Sequence, residues 1–352
     1  MRSLKSIAVV VACVLLSACE TLHYYSQAAE GQLSIWWRRQ PIESLLDDPA
    51  TDAKLKRRLQ LVEEIRSFAS SNLGLPDNDS FRYYTDLQRS HVVWNVFAAP
   101  EFSVEPLRWC FPVAGCVSYR GYFARGDAEL FADKLKRQGL DTYVGGVAAY
   151  STLGWFNDPL LNTFLHYDDV HLAGLIFHEL AHQQLYVPGD TTFNESFATS
   201  VQNAGVQRWL ESRGNAALMQ QYLREQAFQR DFVETLLTLR QRLAVLYASD
   251  LAAPQMRRQK QVLLDDFVTG DYAAFKKRWG GSGAYDKWVG SGLNNASLNT
   301  VSSYNRWLSA FGNLLAQSGD NFSEFYRRAG QLAEMKPERR REQLLQLDAL
   351  GK

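Results

Sequence analysis

The chain has 352 residues, enough for one large domain or two ordinary ones. Hydrophobic residues at 46% and charged residues at 22% match a folded globular protein and exclude a disordered one. Lys plus Arg balance Asp plus Glu at 38 each, so the charge offers no case for a nucleic-acid partner.

At the N terminus Arg2 and Lys5 precede an apolar run over 7–16, which leads into Leu16-Ser17-Ala18-Cys19. The run is shorter than the roughly 20 residues a membrane-spanning helix needs, so it reads as a signal peptide. The small residues before Cys19 resemble the bacterial lipobox, whose cysteine is diacylated and becomes the mature N terminus; a plain secretory signal or a short anchor helix is the alternative. Residues 1–18 are therefore expected to be removed, leaving Cys19 to anchor the chain to a membrane by its lipid. Glu20 stands where inner-membrane retention signals usually place Asp, which points to the outer membrane and a periplasm-facing domain. Cys13 leaves with the signal, so Cys110 and Cys116 are the cysteines that remain unmodified. The short loop between them turns at Pro112 and Gly115, and an oxidising compartment would join them; two buried thiols are the alternative.

A helix over 24–39 carries Ile35, Trp36 and Trp37 and stops at Pro41, making residues 19–48 a tether whose aromatic residues are expected to pack on their own domain. The next helix, over 51–70, shows Leu55, Leu59, Val62, Ile65 and Phe68 at three- and four-residue steps and ends near Asn72, Gly74 and Pro76. Aromatic and β-branched runs over 81–84, 91–98, 117–123 and 142–151 predict strands of one small sheet, interrupted by a helix over 127–138. Beyond Asp169 the pattern is helical, with long segments over 216–249 and 322–350. Residues 49–352 are thus read as one catalytic unit with a helical C-terminal part from about residue 214.

The segment that carries chemistry is His178-Glu179-Leu180-Ala181-His182, set in an apolar helical stretch. Two histidines four residues apart share a helix face, and their imidazoles can reach one zinc ion at about 2.1 Å. Glu179 stands beside them, placed to take a proton from water, which is the His-Glu-x-x-His signature of zinc peptidases. Thirteen positions after His182 comes Glu195, near the start of a second helix reached through a turn at Pro188 and Gly189. A catalytic zinc needs a third protein ligand, and Glu195 is the candidate; the alternative is a capping box, Thr192 to Glu195, in which the carboxylate only caps its own helix. His171 lies two turns before His178, about 10.5 Å away along the axis, too far to share the ion. His166 falls in a polar loop and is read as structural or solvent-facing.

Asn194-Glu195-Ser196-Phe197-Ala198-Thr199 following the two histidines resembles the gluzincins, the thermolysin-like and aminopeptidase clan. The lipobox, the Cys110–Cys116 segment and the helix pair together resemble a family of putative aminopeptidase lipoproteins of Gram-negative bacteria. Only twelve residues separate His182 from Glu195, fewer than in thermolysin or the major aminopeptidases. The resemblance implies an α+β, zincin-like fold, mostly helical with a small mainly antiparallel sheet. It also implies one zinc ion, a peptide substrate and aminopeptidase action. It further implies that an edge strand before the zinc helix, here at Ala149, Tyr150 and Ser151, binds the substrate backbone. A tyrosine from the C-terminal part would hold the oxyanion, for which Tyr304 in an amide-rich segment is the candidate. The competing expectation is a catalytically silent envelope lipoprotein serving as a binding or assembly factor.

Overall fold

A computed structural model of the chain describes residues 22–111, 115–149 and 157–350, apart from the side chains of 302–304. Cys19, Tyr150, Ser151 and the Tyr304 side chain lie outside the described residues. Helix α1 covers 22–38, and β1 (Gln40–Pro41) and α2 (Ile42–Asp47) follow it. Ile35 is fully buried against the domain, but Trp37 is 83% exposed, so only part of the aromatic run packs as its sequence predicts. Helix α3 (Ala53–Leu73) is started by the Asp52 side chain, which accepts from Lys54 N and Leu55 N, and is ended by Gly74 in the left-handed region.

The strands form three small sheets and not one. Strand β2 (Tyr83–Thr85) pairs antiparallel with β1 and parallel with β8 (Leu160–Leu161). Strand β3 (Val93–Pro100) is central in the second sheet, antiparallel to β6 (Arg120–Tyr122) and along its whole length to β7 (Leu140–Val147). Strands β4 (Trp109–Phe111) and β5 (Gly115–Val117) make a separate hairpin, in which Cys110 and Cys116 sit opposite each other and are joined by a disulfide. The expected strand 117–123 is broken between β5 and β6, because the hairpin turns away to reach the loop at Gly189. Helix α4 (Arg125–Arg137) covers the outer face of β3 and β7 with Ala128, Ala132 and Leu135.

After the one-turn α5 (Asn162–Leu165), helices α6 (Asp169–Gln184) and α7 (Thr191–Ser212) run through the main core. They approach closely at Gly205, where a Cβ would fall 2.8 Å from Leu73 Cδ1 and 2.9 Å from Phe177 Cδ2. Helix α8 (Ala216–Tyr247), α9 (Ala253–Asp266), a π turn over Phe267–Asp271, α10 (Tyr272–Arg278) and α11 (Asp286–Gly290) enclose a second core of Phe232, Leu239, Phe267 and Phe275. Helix α12 (Asn295–Asn305) is fastened to the strand ends by its amides. Asn294 Nδ2 donates to Thr142 O, and Asn295 Nδ2 donates to Pro100 O and Glu101 O. Helices α13 (Leu308–Gln317), α14 (Phe322–Ala333) and α15 (Pro337–Ala349) complete the chain. The single C-terminal helix expected over 322–350 is two, because Pro337 opens a new helix where its missing N–H costs nothing. The whole is α+β, mostly helical with small, mainly antiparallel sheets.

Candidate metal centre

Helix α6 is buried on nearly every side from Val170 to His182, which fixes its rotation and depth. Its start is set by Asp168, whose carboxylate accepts from Val170 N and His171 N. The chain then reverses over a short loop that the Asn194 amide clamps, accepting from Val187 N at 2.8 Å and donating to Val187 O at 2.9 Å. Asp190 is the N-cap of α7, accepting from Phe193 N. Glu195 therefore caps nothing: the capping-box alternative is excluded because the helix begins earlier, and its carboxylate turns instead to the two histidines.

Glu195 Oε2 lies 3.4 Å from His178 Nε2 and 3.6 Å from His182 Nε2, and the two Nε2 atoms are 3.2 Å apart. All three side chains are buried, and their rings and carboxylate converge on one point, a donor set that could hold a metal ion. His178 Nδ1 lies 3.1 Å from Gln202 Oε1 on α7. An N–H at Nδ1 donating to that oxygen leaves the Nε2 lone pair free for an ion. His182 Nδ1 is buried with no hydrogen-bond partner among the described residues.

Burial raises the Glu179 carboxyl to about 8, with Asp158 and Glu195 adding to the rise and His178 opposing it. Glu195 is equally enclosed, and burial alone would raise it. Facing His182 and His178 brings it down to about 2, which keeps the carboxylate charged.

A cavity of 330 Å³ opens on the centre and is lined by His178, Glu179, His182 and Glu195 together with Tyr119 and Tyr186. Neither tyrosine is flagged by spacing in the sequence. Burial and the charge of Glu195 raise both phenols above the ordinary range, and Glu179 adds to the rise at Tyr119. Ala149, just past the end of edge strand β7, lines the same cavity. Tyr304 belongs to α12, whose Thr300, Val301 and Asn305 line a second cavity that Glu179 also lines. The two other histidines singled out in the sequence are elsewhere: His171 Nδ1 pairs with Asp168 Oδ2 at 2.6 Å on the surface, and His166 is exposed beside Tyr167.

Fold and site together define an α+β protein with a buried centre of two histidines and one glutamate at the junction of two core helices. The chain belongs to the family described as "Putative aminopeptidase", which matches residues 23–344. No curated protein and no solved structure is detectably similar to it.

Proposed function

We propose that the protein is a zinc-dependent peptidase, with His178, His182 and Glu195 as metal ligands and Glu179 as the catalytic base. The observation that carries this reading is the triangle of donor atoms, 3.2, 3.4 and 3.6 Å on its sides. Ligands bound to zinc at 2.0–2.1 Å in a tetrahedron stand about 3.4 Å apart, and the three atoms have a spacing that suits such a set. A bound zinc would supply Lewis acidity to the scissile carbonyl and to a water beside it.

The chain's own residues do the rest. The positive charge of a bound ion would offset the burial that raises the Glu179 carboxyl, leaving its carboxylate, next to the ligand pair, to accept a proton from the water as the water oxygen bonds to the carbonyl carbon. The same carboxyl then delivers that proton to the departing nitrogen as the C–N bond breaks, giving one amine and one carboxylic acid, which keeps the water's second proton until it ionises. Tyr119 and Tyr186 are hydroxyl donors at the cavity wall, placed to support the oxyanion; they join Tyr304 as candidates for that role. Ala149, just past edge strand β7, lies at the cavity wall, where the resemblance places the substrate backbone. The zincin-like description of the helix pair and the aminopeptidase direction of cleavage come with the sequence resemblance and the family's name.

A site at the bacterial envelope is supported by the lipobox ending in Cys19 and by the outer face of α1. Leu22, Tyr25, Leu33 and Trp37 are all exposed there, at 71, 44, 47 and 83%. At 100° per residue they fall within an arc of about 120°, the pattern of a helix lying on a lipid surface. No helix of the described residues is long and apolar enough to cross a membrane.

The test is metal analysis of the purified chain followed by peptide cleavage with and without a chelator. One zinc per chain and chelator-sensitive cleavage, restored by added zinc, are expected. A metal-free chain that fails to take up zinc under conditions where it stays folded would overturn the proposal.

A further inference from the structure

Three cavities follow one another from the candidate metal centre. The first, of 330 Å³, shares Val147 and Ala149 at the end of β7 and His178 and Glu179 of α6 with a second, of 450 Å³. The second shares Thr199 and Asn203 of α7, Gln229 of α8 and Asn305 of α12 with a third, of 580 Å³. At each junction the shared residues come from separate elements, so they border a passage and do not make one dividing wall.

The two sides of the centre are unequal in length. On one side, Tyr24 of α1 stands in the wall of the first cavity with its ring stacked on Phe111 of the hairpin at 5.7 Å. On the other, α7 supplies wall residues from Glu195, beside the histidines, to Glu211 in the third cavity. At about 1.5 Å of rise per residue that stretch of helix is about 24 Å long, the span of about seven residues of extended chain at about 3.3 Å each.

The third cavity is polar, and its hydrogen-bonding groups are open. Gln207 of α7 and Gln226, Gln229 and Arg230 of α8 line it, and their side chains make no hydrogen bond among the described residues. Such groups suit the N–H and C=O groups of a peptide lying beside them. A dipeptide held at the metal centre is too short to reach them.

We infer that the centre sits near one end of a track for long, extended peptides. The residue on the N-terminal side of the scissile bond occupies the first cavity, and the chain on the C-terminal side runs through the second into the third. Its substrates are unfolded polypeptide ends of about seven residues or more, and dipeptides are poor ones. This rests on the peptidase reading above and deepens it.

A length series tests the inference: peptide amides of two to eight residues that begin with Leu and continue with alternating Gly and Ser. Cleavage by the full zinc-loaded chain is followed by mass spectrometry. Free leucine is the expected first product, and kcat/KM is expected to rise roughly tenfold or more with length before levelling at about seven residues, the gain of a few net hydrogen bonds. Gly312 and Ser309 line the third cavity from α13, and a Cβ on Gly312 meets no atom within 4 Å. Gly312→Trp and Ser309→Trp each place a large ring there and are expected to abolish the rise, with zinc content as in the parent. A kcat/KM independent of length overturns the inference, and so does a rise that survives in both variants. First products with more than one residue on the N-terminal side overturn the short side of the track. A zinc-loaded chain that cleaves no peptide of any length overturns the peptidase reading itself.

Discussion

Gln202 accepts from His178 across the gap between α6 and α7, with Nδ1 and Oε1 3.1 Å apart. Gln202 lies seven residues, two helical turns, beyond Glu195 on the same face of α7. One helix therefore provides both a metal ligand and the group that orients a ligand on its neighbour.

Gln202→Ala removes that acceptor without touching a ligand. Zinc affinity is expected to fall about 10- to 100-fold, the usual loss when an orienting partner is removed. Competition against a chromogenic chelator reads it. Gln202→Glu keeps an acceptor in place and should restore most of the affinity; a variant set with identical affinities would show that the contact does not orient His178.

For the oxyanion, three phenols compete. Tyr119→Phe and Tyr186→Phe each delete one hydroxyl from the cavity that holds the centre. Loss of a donor to a developing oxyanion costs about 10²–10³ in kcat. At least one of the two should show that loss with zinc content unchanged. If both remain fully active and Tyr304→Phe shows the loss instead, the residue chosen from the sequence is the donor.

The disulfide hairpin acts on the loop between the two core helices. Gly115 has φ of +71°, and a Cβ there would fall 2.6 Å from Gly189 N, while the Arg108 guanidinium bonds both Cys116 O and Gly189 O. Closing so small a loop is worth about 2 kcal/mol in the chain-entropy account. Replacing both cysteines with serine should lower the urea midpoint accordingly, and a reductant should lower the parent to the same value while leaving the variant unmoved. An equal response of parent and variant to the reductant would place its effect elsewhere.

The helix pair was legible because its signals are local: ligand spacing on one turn, apolar positions on every side of α6, and a loop too short to carry α7 away. Division of the strands into three sheets was not, since β2 pairs with β8 at a sequence separation of 76 residues and nothing within either strand specifies the partner. Pro337 did announce the break between α14 and α15, at the first position of a helix. The seven-residue step from Glu195 to Gln202 was likewise present, but a glutamine at that spacing becomes an orienting residue only once His178 is placed opposite it. Tyr119 carries no such signal: it follows a hairpin strand and reaches the centre only through tertiary packing.

Separate roles for the ligands and the base give the most direct test of the centre. Glu195→Ala or His182→Ala removes one of three protein donors, and zinc occupancy should drop sharply in either variant. Glu179→Gln preserves size and makes no change to the three donor atoms, so zinc should stay near one per chain. Its rate should nevertheless fall by about 10²–10⁴, the range for loss of a general base, because the amide cannot carry the proton from water to the leaving nitrogen. Metal analysis and single-turnover cleavage on the same preparations separate the two failures. Full zinc and full activity in Glu195→Ala would require another third ligand, and undiminished cleavage by Glu179→Gln would remove that residue from the reaction.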